Sequence, residues 1–199
     1  MRQSRDTRSR LIETAMELIY TRGYTAVGVQ EICMRAQVNK GSFYYFFPSK
    51  RALALAVIEA YGERTQALWE EVLTATQGSL AERLQRIFER TYDSHRALMQ
   101  ISGQLYGCPI GNLALELSCQ DDDLRQQLHD TFTAWTQAIE RVLHQAVAVG
   151  DLPMIDTTTA AQTVVAYFEG AMMLAKTQND PSVLRRLAQG VIHLIQATP

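Results

Sequence analysis

The sequence predicts an all-α protein, with an N-terminal three-helix helix-turn-helix domain followed by a longer helical domain. Three observations lead there. Apolar residues recur at helical spacing along nearly the whole chain, no segment alternates as a half-buried strand does, and two short helical patterns near the N-terminus flank a turn of three or four residues. The expected division falls after residue 50, giving a head of residues 1–50 and a body of residues 51–199.

In order along the chain, Leu11, Ile12, Ala15, Leu18 and Ile19 mark a first helix from Thr7 that stops at Arg22-Gly23, where glycine suits the left-handed position beyond a helix. Val29 to Arg35 reads as a short second helix burying Val29, Ile32 and Cys33. Ala36-Gln37-Val38 turns into a third, Asn39 to Tyr45. After Pro48, Ser49 is a good N-cap for a long fourth helix running toward Leu73. Ser79 caps a fifth, with a stripe of Leu80, Leu84, Ile87, Phe88 and Thr91, expected to end near His95. Gly103, Gly107, Pro109 and Gly111 predict short helices joined at a kink. Asp121 to Val149 is a long helix with acids in its first turn and Gly150 beyond its end. Thr157 to Thr177 and Pro181 to Gln196 complete the pattern.

The 199 residues are 47% hydrophobic, ample for a packed core. No stretch reaches the roughly 18 to 20 apolar residues needed to cross a bilayer, and no signal-peptide segment is present, so a cytoplasmic protein is expected. Cys33, Cys108 and Cys119 contain no Cys-x-x-Cys pair and fit neither a disulfide framework nor a zinc site. Each reads as a free thiol. The net charge of −2 is unevenly distributed: residues 1–53 hold nine Lys/Arg against four Asp/Glu, a net +5, which leaves −7 on the remainder. A basic head on an acidic body suits a chain that meets phosphates at one end.

The most informative stretch is Val38 to Leu53, VNKGSFYYFFPSKRAL, preceded by Gly23-Tyr24 and Val29-x-x-Ile32. Residues 7–53 resemble the DNA-binding domain of the TetR/AcrR family of bacterial regulators. The resemblance implies a homodimeric transcriptional regulator, most simply a repressor, that binds a palindromic double-stranded DNA operator and releases it on meeting a small-molecule inducer or electrophile. The residue chemistry agrees. A recognition helix entering a major groove about 12 Å wide needs compact polar side chains outward and apolar anchors behind. Asn39, Lys40, Gly41, Ser42, Tyr44 and Tyr45 are candidates for the outward face, with Val38, Phe43 and Phe47 as anchors. Gly41 would allow close backbone approach or simply ease helix packing. Lys50, at the start of the fourth helix, is a candidate phosphate contact. Two departures stand out. Val27-Gly28 replaces the Thr-Thr common in the family, and Arg51 replaces a frequent acid, adding positive charge near the DNA backbone.

In the body, Tyr106 to Ala114, YGCPIGNLA, resembles a G-C-P-x-G-N-L-A segment of one subgroup, some of whose members respond to electrophiles, quinones or aromatic compounds. Cys108, near a helix start where a thiolate would be stabilised, is the candidate sensor; an inert thiol packed as a small hydrophobe is the alternative. A noncovalent pocket would draw on Tyr92, His95, Met99, Tyr106, Trp135, Met172 and Met173. The resemblance also implies a four-helix dimer bundle, for which Ala160, Val164, Tyr167, Phe168, Ala171 and Leu174 offer a face. Trp135 fits that face or an intramolecular core equally well.

Enzyme chemistry is not expected, nor a cofactor or metal. None of His95, His129, His144 or His193 follows a Glu by three residues, as the pairs of carboxylate-bridged metal bundles require, and there is no nucleotide-binding glycine loop or nucleophile elbow. An adaptor that retained a helix-turn-helix only for structure would not need the +5 head.

Overall fold

The computed structural model describes residues 2–75 and 77–196, and all regular structure among them is helical. The elements are α1 (Arg2–Arg22), α2 (Val29–Arg35), α3 (Lys40–Phe46), α4 (Lys50–Leu73), α5 (Leu80–Ser102), α6 (Pro109–Leu117), α7 (Asp122–Ala148), α8 (Thr157–Gln178), α9 (Ser182–Leu187) and α10 (Gly190–Gln196).

Side-chain caps explain several starts. Asn39 accepts the Ser42 N–H ahead of α3, Ser79 and Glu82 form a reciprocal capping box ahead of α5, and Asp156 accepts from Thr158 and Thr159 ahead of α8. The fifth helix runs almost two turns beyond the expected end near His95. Arg96 to Ile101 contain no breaker, and the helix stops only at Gly103, which takes the left-handed φ of +72°. The glycine-rich stretch expected to hold short kinked helices instead holds an irregular run, with Gly103 and Gly107 both at left-handed φ, followed by α6 alone. The predicted last helix is two, α9 and α10. The Tyr167 hydroxyl donates to the Leu187 carbonyl at 2.9 Å, occupying an acceptor that a continuous helix would use, and a Cβ on Gly190 would overlap that same hydroxyl.

The chain forms two compact units, Met1–Arg64 with Pro109–Thr131, and Thr65–Cys108 with Phe132–Pro199. The expected cut after residue 50 is therefore displaced. Nothing interrupts α4 after its first residue, and side chains of the 109–131 segment bond to the head. In the first unit, Leu11, Ala15 and Leu18 of α1 are buried with Val27, Ile32, Phe43, Phe47, Leu53 and Ile58. The second unit centres on aromatic rings. Trp69 lies 5.3 Å from Trp135 and 5.2 Å from Phe168, and Phe168 lies 5.4 Å from Phe88. Such ring pairs each add about 0.5–1.5 kcal/mol beyond area burial.

Within the first unit, α4 meets α7 at Gly62, where a Cβ would stand 2.9 Å from Thr131 Cγ2. Threonine is stiff about χ1, so the methyl cannot easily swing away. Gly62→Ala gains about 1 kcal/mol of helix propensity, but overpacking costs typically about 1–3 kcal/mol, so a net loss of stability is expected. Thr131→Ser removes the obstructing methyl and keeps the hydroxyl bond to the Gln127 carbonyl. In urea denaturation, Gly62→Ala should lower the midpoint and Gly62→Ala with Thr131→Ser should recover part of it; a midpoint unchanged by Gly62→Ala would refute the close crossing.

Candidate functional site

The third helix is held from behind by Phe43 and Phe47, both buried, while Tyr44 is 54% and Tyr45 80% exposed. Lys40 and Gly41 are exposed beside them and Ser42 is half-buried. Asn39 is exposed too, but its Oδ1 accepts the Ser42 N–H at 2.7 Å, so its acceptor already caps the helix. That cap explains Gly41: a Cβ there would crowd Asn39 Oδ1 at 3.3 Å.

Much of the positive charge counted in the head is paired. Arg22 bonds Glu31, Arg35 meets Glu17 at 3.0 Å, and Arg51 bonds both Asp121, at 2.6 Å, and Asp123. Arg51 is thus turned to the start of α7, contrary to the expectation that it adds free charge near the DNA backbone. Lys40 makes no ion pair among the described residues. Lys50 is half-buried with Nζ 4.0 Å above the Tyr24 ring. Burial pushes its pKa down against the pull of Glu116, so it is engaged with the head itself rather than standing open at a helix end.

A residue not anticipated from the sequence organises this region. The Glu116 carboxylate, on α6, accepts the backbone N–H of Tyr24 at 2.9 Å and of Thr25 at 2.7 Å. It thereby caps the turn between α1 and α2, where Gly23 takes a φ of +86°. Burial works to raise the Glu116 pKa, but the Thr25 and Tyr24 hydrogen bonds and the Lys50 charge outweigh it, and the net shift is downward. Nothing in the local spacing of Glu116 marks it, because its partners lie 91 and 92 residues away.

In the second unit, the candidate pocket residues are dispersed in role. The Tyr92 ring lies under the Arg185 guanidinium at 3.7 Å. His95 directs Nδ1 to the Thr91 carbonyl at 2.9 Å and Nε2 to the Gly107 carbonyl at 3.2 Å. Met99 and Tyr106 are half-buried, Met172 is buried and Met173 exposed. Trp135 is core, packed on Trp69 and Phe132, yet among the described residues its Nε1 has no hydrogen-bond partner. Cys108 is buried and hydrogen-bonds Glu169 of α8, a carboxyl that burial pushes up to about 7 against the lowering effect of that bond. Glu169 Oε1 is buried without a partner among the described residues. No local pattern marks Glu169, a lone acid in the largely apolar α8.

The expected dimer face needs correction. Ala160, Val164, Phe168 and Ala171 are buried within the single chain, and Tyr167 bonds Leu187. Helical phase explains this: those positions form the side of α8 that packs on the aromatic core, leaving Leu174, with Met173, exposed on another side. Among the described residues, no cluster of His, Cys, Asp and Glu could hold a metal, and no helix is long and apolar enough to cross a membrane.

A helix-turn-helix presenting an outward polar and aromatic second helix on a basic head defines a DNA-binding transcriptional regulator. The chain belongs to the tetR family of bacterial regulatory proteins: residues 11–57 match that family's N-terminal domain, and residues 81–190 match the LmrA/YxaF-like transcriptional regulator C-terminal domain. It is 33% identical to an HTH-type transcriptional regulator in the lacX 3′ region of Lactococcus lactis subsp. lactis, over 90% of this chain and 88% of that one. It is 34% identical to the transcriptional regulator AcuR of Cereibacter sphaeroides, over 87% of this chain and 78% of that one. The crystal structure of reduced NemR from Escherichia coli superposes with a TM-score of 0.81 at 26% identity, covering 97% of this chain and 98% of NemR.

Because its folded-state pKa is depressed, Glu116 contributes stability that is fully present above the ordinary carboxyl value of 4.5 and is lost as pH falls through the lower folded value. Glu116→Gln should therefore cost stability, by about 1–2 kcal/mol for two charge-assisted bonds. In denaturation curves the gap from wild type should be widest above pH 5 and close toward pH 3. A gap independent of pH would mean that the charge is not what holds the turn.

Proposed function

We propose that this protein is a homodimeric repressor that holds a two-fold operator through paired α3 helices and releases it when a small molecule or electrophile acts on the body. The observation that carries the DNA reading is α3 itself, with Phe43 and Phe47 anchoring it and Lys40, Gly41, Tyr44 and Tyr45 facing outward. Asn39 and Ser42 at its start, and Lys50 at the start of α4, complete the proposed contact set. Repression is favoured by likeness to the HTH-type transcriptional repressor NemR, 28% identical over 98% of this chain. A cytoplasmic location follows from that role.

One short recognition helix reads few bases, so two half-sites are needed for useful specificity, and regulators of this family are typically dimers. The face we assign to the partner copy is the open side of α8: Ala166, Gly170, Met173 and Leu174 at spacings of three and four. Met173 and Leu174 are exposed, and a Cβ on Gly170 would meet open space, so a second helix could approach closely. Met173→Arg with Leu174→Arg should convert the dimer to a monomer in light scattering and abolish operator binding. A dimer that persists would place the interface elsewhere.

Cys108 is the proposed sensing residue, in a segment resembling the G-C-P-x-G-N-L-A subgroup. It is the last residue of the second unit before the chain crosses into the first, and the helix that follows carries Glu116, which holds the α1–α2 turn. A modified Cys108 would bias that helix, and couplings of this kind are typically about 1–3 kcal/mol. A noncovalent inducer would find an unsatisfied donor at Trp135 Nε1.

The test is fluorescence anisotropy with DNA flanking the protein's own gene, backed by random-site selection, against scrambled DNA over a salt series. Binding should be sequence-selective, fall steeply with salt, and weaken by about tenfold or more for Lys40→Ala. N-ethylmaleimide should release the wild type but not Cys108→Ser. Failure of both genomic and selected DNA to outcompete scrambled DNA would overturn the DNA reading, and equal release of Cys108→Ser would overturn the sensor.

A further inference from the structure

We propose that the Glu169 carboxylate is the proton acceptor for the Cys108 thiol, so that the two form a buried base–nucleophile dyad adding to α,β-unsaturated carbonyl electrophiles. The inference rests on the sensor reading of Cys108 and assigns the residue that makes the thiol reactive. The Cys108 side chain is 8% exposed, and a thiol in so dry a place is poorly nucleophilic unless a neighbour removes its proton. The neighbour hydrogen-bonded to it is an acid, Glu169. The carboxyl is itself largely withdrawn from water, and among the described residues its Oε1 has no hydrogen-bond partner.

Burial raises the basicity of this carboxylate, bringing it to about 7, where a general base is most effective near neutral pH. The segment before the thiol is fixed as well. His95, the titratable group bonded to it from α5, turns one ring nitrogen to the Gly107 carbonyl and the other to Thr91, holding the peptide that leads into Cys108.

The step balances without an oxidant. As the sulfur bonds to the β-carbon, the S–H proton passes to Glu169 and the C=C π pair moves into the enolate. Glu169 then returns the proton to the α-carbon, so that S–H has added across the double bond.

The experiment follows the alkylation rate of each cysteine by N-ethylmaleimide in the full-length protein, with peptide mass spectrometry, between pH 5 and 9.5. Exposed Cys119 serves as an internal reference. In wild type the Cys108 rate should rise through an inflection near pH 7 and level off. In Glu169→Gln it should be at least about tenfold slower at pH 7.5 and climb with pH with no inflection near 7. Glu169→Asp should restore the inflection at a lower plateau. Cys119 should be unchanged in all three, and near-ultraviolet circular dichroism reports that each variant is folded. A Glu169→Gln variant that keeps the wild-type rate and inflection would overturn the dyad while leaving Cys108 a sensor. A folded wild type whose Cys108 is never alkylated would overturn both.

Discussion

The head depends on one carboxylate. A helix-turn-helix reads DNA only if its two short helices keep their angle and spacing, and α2 and α3, at seven residues each, are too short to hold themselves. The turn that delivers α2 begins at a left-handed glycine and leaves backbone N–H groups needing acceptors. Glu116 accepts two of them, and Arg51 bonded to Asp121 and Asp123 adds a second tie between the same segments. The ion pair is mostly exposed and contributes little by itself. The cap is different, because removing its acceptor would leave the partly buried Tyr24 N–H unsatisfied and return the exposed Thr25 N–H to water. The turn that delivers α2 therefore depends on a residue more than 90 positions along the chain, on the helix that begins directly after Cys108.

What the sequence disclosed follows the range of the physics involved. Helix type and most helix starts are local: Asn39, Ser79 and Asp156 cap within three residues of themselves, and apolar periodicity marks a helix without any tertiary knowledge. The outward face of α3 was legible for the same reason, since Phe43 and Phe47 at a four-residue spacing fix which side is turned in. Long-range choices were not legible. The break between α9 and α10 is made by Tyr167, 20 residues away from the carbonyl it captures, and the grouping of residues 109–131 with the head is made by Glu116 and Asp121. Periodicity showed that α8 was apolar but not which of its apolar sides faced inward, so Val164 and Phe168 read as a dimer face when they are core.

Pairing also changes what a charge count means. The +5 of the head is a sum over side chains, several of which already neutralise carboxylates within the same unit. A phosphate backbone is neutralised by cations not already paired, so a side chain such as Lys40, which makes no ion pair among the described residues, is a better guide than the total. Tyrosine at such a surface offers apolar contact and a hydroxyl with few rotatable bonds to order, which suits close approach to a groove.

The body presents the converse problem. A core built on Trp69, Phe88, Trp135 and Phe168 has little reason to hold an indole N–H without an acceptor or a carboxyl oxygen without a donor, since each such group costs about 1–3 kcal/mol. An apolar residue of similar size would serve folding better at either position. A second state of the protein that satisfies such groups is one reason for them to persist. A ligand acceptor meeting Trp135, or a proton moving from Cys108 to Glu169, supplies such a state, and either would favour one conformation of the body by the free energy that the resting core forgoes. These two unsatisfied groups thus lie in the second unit, while in the first unit the amides of Tyr24 and Thr25 both have their acceptor in Glu116.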